Sequence, residues 1–160
     1  MSSLPFENCG FEVRQNLIDA HQEAWRRIAS PGTWLTGERR LTVVAEIHQA
    51  HACDFCQEIK DALSPNAATG THTATGNLSD AEVELIHRVV SDSGRLSEPW
   101  SQEVLAGGLS EGEYVEIVGI IASVMIIDTC TMALGVADTD LPDAVAGEPT
   151  RYLPPGAKVE

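Results

Sequence analysis

Basic side chains are scarce in this sequence, which has 10 Lys and Arg against 24 Asp and Glu and a formal net charge of -14 at pH 7. Nucleic-acid binding and binding to anionic membrane surfaces both need clustered Lys and Arg, so the charge argues against both. Acidity of this size is typical of a protein kept in solution by repulsion between like charges. We therefore expect partners that are neither nucleic acids nor membranes.

Signals for export and for a membrane span are also lacking. Residues 1–10 contain neither the basic segment nor the apolar segment of a secretory leader. The longest apolar stretch, Ile117 to Ile127, is shorter than the roughly 20 residues that a membrane-spanning helix needs. Four cysteines are too few for a secreted domain stapled by disulfides. These absences predict a cytoplasmic protein.

Strand-like alternation is absent, and apolar residues recur with the period of a helix. The first helix carries a stripe from Leu17 to Ile28 and ends at Ser30-Pro31-Gly32. A second helix begins near Thr36 and runs toward Cys53, where a short third helix begins. At 160 residues the chain is long enough for one domain with its own core.

The second half of the chain contains two capping boxes, which mark helix starts. Ser79-Asp80-Ala81-Glu82 begins the fourth helix, after a loop over residues 64–77, and Ser110-Glu111-Gly112-Glu113 begins the most apolar one, Tyr114 to Leu134. A short helix near Pro99 lies between them. The pattern predicts an all-α fold, a compact bundle of about six helices over residues 1–137. A Pro-rich tail, 138–160, would pack on this domain or on a neighbouring subunit.

The chemistry of the chain is predicted at Cys53-Asp54-Phe55-Cys56. In a reducing compartment such a CxxC pair indicates a redox or metal site before it indicates a structural staple. At the start of a helix, the helix dipole and free N–H groups stabilise a thiolate, and the spacing of three places both sulfurs on one face. The pair can therefore cycle between dithiol and disulfide.

Two other readings of the cysteines are less favoured. Buried cysteines can act simply as small apolar side chains. Zinc could use His48 and His51 with the two cysteines, but a continuous helix places His48 and Cys56 roughly 12 Å apart, too far for one tetrahedral site. We therefore predict no metal and no cofactor. Cys9 and Cys130 are expected to be unreactive.

These motifs resemble a known family in their order along the chain. Thr36-Gly37-Glu38-Arg39-Arg40-Leu41, a helix, and then Cys53-Asp54-Phe55-Cys56 resemble the core of alkylhydroperoxidase D-like proteins, the carboxymuconolactone decarboxylase superfamily. The stretch from Gly108 to Gly135 resembles the helix that follows the active-site pair. The likeness covers about residues 36–136. It implies an all-helical, oligomeric alkylhydroperoxidase D-like domain that reduces peroxides through its dithiol.

The resemblance also implies roles for the two cysteines. In the family the second cysteine attacks the peroxide and the first resolves the product as a disulfide, so Cys56 would attack and Cys53 would resolve. The helix-dipole argument alone favours Cys53 as the activated thiol. The family relay uses a His four residues after the second cysteine and a Glu twelve residues before the first. Those positions hold Lys60 and Leu41 here.

A replacement for the missing relay is expected at His48, which lies on the same helical face as Leu41. A histidine titrates near neutral pH and suits general-base work. His51 ranks next, Lys60 could stabilise a thiolate, and Glu46 ranks lower because it points away from that face. No role is assigned to three histidines, namely His21, His72 and His87.

The function predicted from these features is that of an enzyme, a thiol-dependent peroxidase or disulfide reductase with an antioxidant role. Its catalytic residues would be Cys53, Cys56 and His48, its substrate a hydroperoxide, and its electron donor a thiol or a protein disulfide partner. The alternatives are a carboxymuconolactone decarboxylase-like lyase and a non-catalytic interaction protein that keeps the fold.

Self-association is the last expectation from the sequence. The helix from about Glu113 to Leu134 leaves almost no polar face, and a helix that is apolar all round must be buried on all sides. Short neighbouring helices can cover only part of it. We therefore predict a homo-oligomer, a dimer, trimer or hexamer.

Overall fold

The computed structural model describes residue 6, residues 9–136 and residues 141–156, and this part of the chain is all-helical. The six α-helices are α1 (Gln15–Ile28), α2 (Gly37–Ala50), α3 (Asp54–Asp61), α4 (Asp80–Asp92), α5 (Glu98–Ala106) and α6 (Glu111–Ala133). Single 3-10 turns follow α3 and α4. The predicted all-α bundle of about six helices is confirmed.

Helix starts follow the local sequence closely. The Thr36 side chain caps α2 by accepting a hydrogen bond from the backbone N–H of Arg39. Ser79 and Ser110 both form complete capping boxes, with Glu82 and Glu113 as the reciprocal partners. Each box satisfies N–H groups that the first turn of a helix leaves without an intrahelical partner. The two capping boxes predicted from the sequence are therefore confirmed.

The core lies where α2, α4 and α6 pack against one another. Its fully buried side chains are aliphatic and come from all three helices, Val43, Val44, Ile47, Leu85, Ile86, Ile117, Ile121 and Val124. The short helices α3 and α5 both pack on α4. This arrangement places the start of α3, with both cysteines, against the middle of α4.

The long helix α6 has one buried face and one exposed face. Ile117, Ile121 and Val124 are fully buried, whereas Val115 is 68% exposed and Ile126 is 64% exposed. By length and composition α6 could cross a membrane, and it is the one helix among the described residues that could. One face of α6 packs on α2 and α4, which is compatible with a soluble protein.

The described part of the C-terminal tail, residues 141–156, is irregular and follows the segment between α1 and α2. Backbone hydrogen bonds join Val145 N–H to the carbonyl of Ala29 and Thr150 N–H to that of Gly32. The Arg151 guanidinium lies over the Trp34 ring, 5.3 Å from its centroid. The tail therefore contacts its own domain, and the exposed face of α6 stays uncovered by it at Val115.

Candidate active site

The two cysteines of the CxxC motif lie at the start of α3 and are buried. Cys53 is the N-cap residue, and Cys56 lies in the first turn. Cys53 is only 4% exposed to solvent and Cys56 only 2%. The backbone N–H of Thr73 donates to the Cys53 sulfur at 3.4 Å. Both cysteines are free thiols. The two sulfurs lie within 4.8 Å of each other, on one side of α3 as the spacing predicted.

A histidine and a buried carboxylate lead away from the Cys56 sulfur. His87 on α4 places Nδ1 3.1 Å from Cys56 Sγ and Nε2 2.8 Å from Glu46 Oε1 on α2. The other Glu46 oxygen accepts hydrogen bonds from the N–H and the hydroxyl of Thr75. Since both Glu46 and His87 have no exposed surface, this Glu46–His87–Cys56 chain lies wholly inside the protein.

A second histidine and carboxylate lie beside the first, with the ring centroids of His72 and His87 4.3 Å apart. His72, in the loop before α4, places Nδ1 3.4 Å from Cys56 Sγ and 3.7 Å from Cys53 Sγ. Its Nε2 lies 3.0 Å from a Glu84 carboxylate oxygen, and Trp100 Nε1–H donates to the other Glu84 oxygen at 2.8 Å. Both imidazoles thus present one nitrogen to sulfur and one to a carboxylate.

These contacts favour a thiolate at Cys56. Burial alone raises the pKa of this thiol, but the hydrogen bonds from His72 and His87 outweigh burial and lower the pKa of Cys56 to about 6. Burial also opposes charge on His72, yet its hydrogen bonds with Cys56 and Glu84 raise the pKa of His72 to about 10. Both shifts favour the charged pair, a Cys56 thiolate beside a His72 imidazolium.

The pKa values of His87, Glu46 and Cys53 are also shifted toward the charged form of each group. Against the effect of burial, the bonds to Cys56 and Glu46 raise the pKa of His87, and the bonds from Thr75 and His87 lower the pKa of Glu46. The pKa of Cys53 is also lowered, because N–H groups of Thr73 and Cys56 offset its burial. The family-based assignment of Cys56 as the attacking thiol stays a prediction.

Access to the sulfurs is through a small cleft. A cavity of about 360 Å³ is lined by both cysteines together with His51, Lys60 and Ser91. Its size suits a small molecule better than a polypeptide segment. Lys60 and His51, which the sequence ranked behind His48 as candidates, thus both line this cavity.

His48, the histidine that the sequence favoured, contacts a different helix. Its Nε2 lies 3.2 Å from an Asp128 carboxylate oxygen on α6. His48 follows Glu46 by two residues, which turns it by about 200° around α2, away from the face that Glu46 directs at His87. The catalytic role predicted for His48 stays a prediction, and His87 has the more direct geometry.

Sequence reasoning ranked Glu46 below His48 and assigned no role to His72 and His87. A signal for two of them was present, because Glu46 and His87 interrupt apolar stripes of α2 and α4, at i+3 from Val43 and i+4 from Val83. A charged side chain on a buried stripe needs a partner in the interior. His72 had no such signal, since it lies in an irregular loop.

The chain matches no family model, no curated protein and no solved structure. The alkylhydroperoxidase D-like family therefore remains a resemblance in motif order.

Proposed function

We propose that this chain is a thiol-dependent peroxidase, with an antioxidant role, that reduces a hydroperoxide at Cys56 and forms a disulfide with Cys53. The observation that carries the proposal is the buried chain from Glu46 through His87 to the Cys56 sulfur. A thiol beside a histidine that is oriented by a carboxylate is a recurrent arrangement for activating a nucleophile. The neighbouring Cys53 supplies the resolving thiol.

The first half of the reaction needs one thiolate and one proton. The Cys56 thiolate attacks a peroxide oxygen, and the O–O bond breaks as the S–O bond forms. His87 gives its proton to the departing alkoxide, which leaves as an alcohol, and Cys56 becomes a sulfenic acid. Glu46 orients the imidazole and stabilises its charged form before the transfer.

The second half closes the disulfide. The sulfur of Cys53 attacks the sulfur of Cys56, the S–O bond breaks, and the oxygen leaves as water with the Cys53 proton. Two electrons have then passed from two thiols to one peroxide bond. An external dithiol restores both thiols by exchange and is itself oxidised to a disulfide. This cycle requires reducing surroundings, which fits the expected cytoplasmic location.

Burial of the sulfurs favours a small oxidant. A hydroperoxide can enter a cavity of about 360 Å³, whereas the disulfide of a folded partner would have to approach two sulfurs that are almost completely covered. Direct reduction of protein disulfides is therefore the weaker of the two activities expected from the sequence.

The test is consumption of hydroperoxide with dithiothreitol as the donor and a metal chelator present. We expect Cys56→Ser to abolish consumption. Without the donor, Cys53→Ser should consume one equivalent of hydroperoxide and leave a sulfenic acid on Cys56 that dimedone traps, whereas the unaltered chain should close its disulfide and leave none to trap. Cys130→Ser, which removes a thiol on α6 outside the site, is the matched control. Turnover that survives in Cys56→Ser would refute the proposal.

The relay has its own test in the same assay. His87→Gln removes the group that donates the proton, and general acid–base contributions are typically about 100-fold to 10,000-fold. We expect a fall in the rate of sulfenic acid formation of at least about 100-fold. A fall of that size in His48→Gln, with little change in His87→Gln, would assign the relay to the residue that the sequence favoured.

A further inference from the structure

We propose that Cys53, Cys56, His72 and His87 bind one Zn²⁺ ion as a closed tetrahedral site when both thiols are reduced. Their four ligand atoms, two Sγ and two Nδ1, all lie within 4.8 Å of one another. The inference does not rest on peroxidase activity. It follows from where the tertiary structure places these four side chains.

The distances suit tetrahedral zinc. Zn–S bonds of about 2.3 Å and Zn–N bonds of about 2.05 Å place neighbouring ligand atoms about 3.3 to 3.8 Å apart. The Cys56 sulfur lies 3.1 Å from His87 Nδ1 and 3.4 Å from His72 Nδ1, and the Cys53 sulfur lies 3.7 Å from His72 Nδ1. Adjustments of less than about 1 Å would therefore seat an ion among them.

The surroundings of the two imidazoles match those of metal-bound histidines. Such histidines almost always donate their second N–H to a carboxylate or carbonyl, which fixes the tautomer and directs the other lone pair at the metal. Here His72 Nε2 lies 3.0 Å from a carboxylate oxygen of Glu84, and His87 Nε2 lies 2.8 Å from one of Glu46. With those protons on Nε2, both Nδ1 lone pairs point at the sulfurs.

The charge and softness of the ligand set also select zinc. Two thiolates neutralise the two positive charges of the ion, so a buried site carries no net charge. Tetrahedral coordination by two sulfurs and two nitrogens is typical of zinc, and four protein ligands leave no position open for a substrate. The ligands come from α3, α4 and the loop before α4, so the ion would attach that loop to the two helices.

This ligand set differs from the one that the sequence suggested and disfavoured. His48 and His51 are near the cysteines in sequence, but His72 and His87 are the histidines whose nitrogens lie within 4.8 Å of both sulfurs. Formation of a Cys53–Cys56 disulfide would remove both thiolates and therefore abolish the site. Zinc binding and the disulfide are mutually exclusive states of the same two sulfurs.

The test is a metal titration of the chelator-stripped protein, with its thiols kept reduced by a phosphine. We expect one Co²⁺ per chain, with the intense visible bands of tetrahedral coordination and a thiolate charge-transfer band. One equivalent of Zn²⁺ should displace the Co²⁺ and so remove both the visible bands and the charge-transfer band. His72→Gln and His87→Gln should each lose this spectrum, and Glu84→Gln should keep it while lowering zinc affinity about 10-fold to 100-fold.

The controls are His51→Gln and Cys130→Ser, which leave the four ligands in place and should bind zinc as the unaltered chain does. Circular dichroism of every variant establishes that the helices remain. Absence of the tetrahedral spectrum in the reduced chain, its persistence in His72→Gln, or its loss in His51→Gln would each overturn the proposal. Peroxide consumption is measured with a chelator, so a failure there leaves this result unaffected, and the reverse also holds.

Discussion

Single residues decide the electrostatics of this site, and Cys56 is the clearest case. Its sulfur lies against two imidazoles, each of which is held by a carboxylate. Burial without these partners would favour the neutral thiol. The same helix N-terminus also carries Cys53, so the helix dipole alone does not explain why Cys56 has the lower pKa.

The pH dependence of thiol alkylation should report this environment. With a pKa lowered to about 6, the Cys56 thiolate forms as pH rises through about 6, roughly two pH units below an ordinary cysteine. Alkylation by iodoacetamide, in the presence of a chelator and followed by mass spectrometry, should therefore rise over that range and level off above it. A rise centred near pH 8.5, the range of an ordinary thiol, would contradict this account.

Replacing histidines separates the two candidate bases. His87→Gln removes one of the hydrogen bonds that lower the pKa of Cys56, so the alkylation midpoint should move upward by at least about one unit. His48→Gln, which instead alters the contact with Asp128, is the matched comparison. The sequence predicts an upward shift in that variant, and the geometry predicts the larger one in His87→Gln. Midpoints in both variants that equal that of the unaltered chain would argue that neither imidazole acts on the thiol.

Whole elements hold the site by their packing and their caps. α4 carries His87 and Glu84, and its start is secured by the Ser79–Glu82 capping box and by the bond from Arg39 on α2 to Glu82. α2 is joined to α6 by the ion pair of Arg40 with Glu116, which is largely buried. Glu46, Glu84 and His87 thus lie on helices whose ends and crossings are fixed by polar contacts away from the sulfurs.

The cap of α4 should contribute measurably to stability. Ser79→Ala removes the side chain that accepts from the Glu82 N–H, and loss of such a cap costs about 1 kcal/mol. Urea denaturation should show a free energy of unfolding lower by about that amount. Ser123→Ala, in the middle of α6, should change it by less than about 0.5 kcal/mol. A similar loss in both variants would show that the cap has no special role.

At the scale of the whole molecule, one side of α6 is exposed among the residues that the structure describes. Apolar and small residues follow one another there at alternating steps of four and three, Val115, Gly119, Ala122, Ile126, Thr129 and Ala133, and all six are exposed. This spacing is that of the seam between two packed helices. The homo-oligomer stays a prediction, and this exposed seam and the apolar character of α6 are the two features that favour it.

Ile126 offers the direct test of assembly. It is 64% exposed, so Ile126→Asp should spare the subunit core and disrupt a seam formed with a second copy. We expect light scattering at micromolar concentration to show a multiple of 17.2 kDa for the unaltered chain and a smaller species for the variant. Leu63→Asp introduces the same charge at an exposed loop position and should leave the mass unchanged. A 17.2 kDa monomer in the unaltered chain would dispose of the idea.

An Asp substitution that tests assembly has to avoid the buried face of α6. Ile121 is fully buried against the core of its own subunit, so a charge there would be placed in an apolar interior and would unfold the chain. The composition of α6 does not distinguish these faces, because both are apolar. Only the packing of α2 and α4 on α6 shows which face is free.

The helices and their ends were determined by the sequence itself. Helical periodicity and caps depend on residues three or four apart, so Ser79 with Glu82 and Ser110 with Glu113 mark helix starts without reference to the rest of the fold. The CxxC pair is equally local, because its spacing of three brings both sulfurs to one side of α3 in any fold that keeps the helix.

The groups around the sulfurs were decided only by the tertiary structure. Glu46 and His87 are separated by 41 residues and His87 and Cys56 by 31, on three different helices. Periodicity indicates which face of each helix is buried, but not which residues of two buried faces meet. That pairing depends on how α2, α3 and α4 cross, and it places His87 rather than His48 at Cys56.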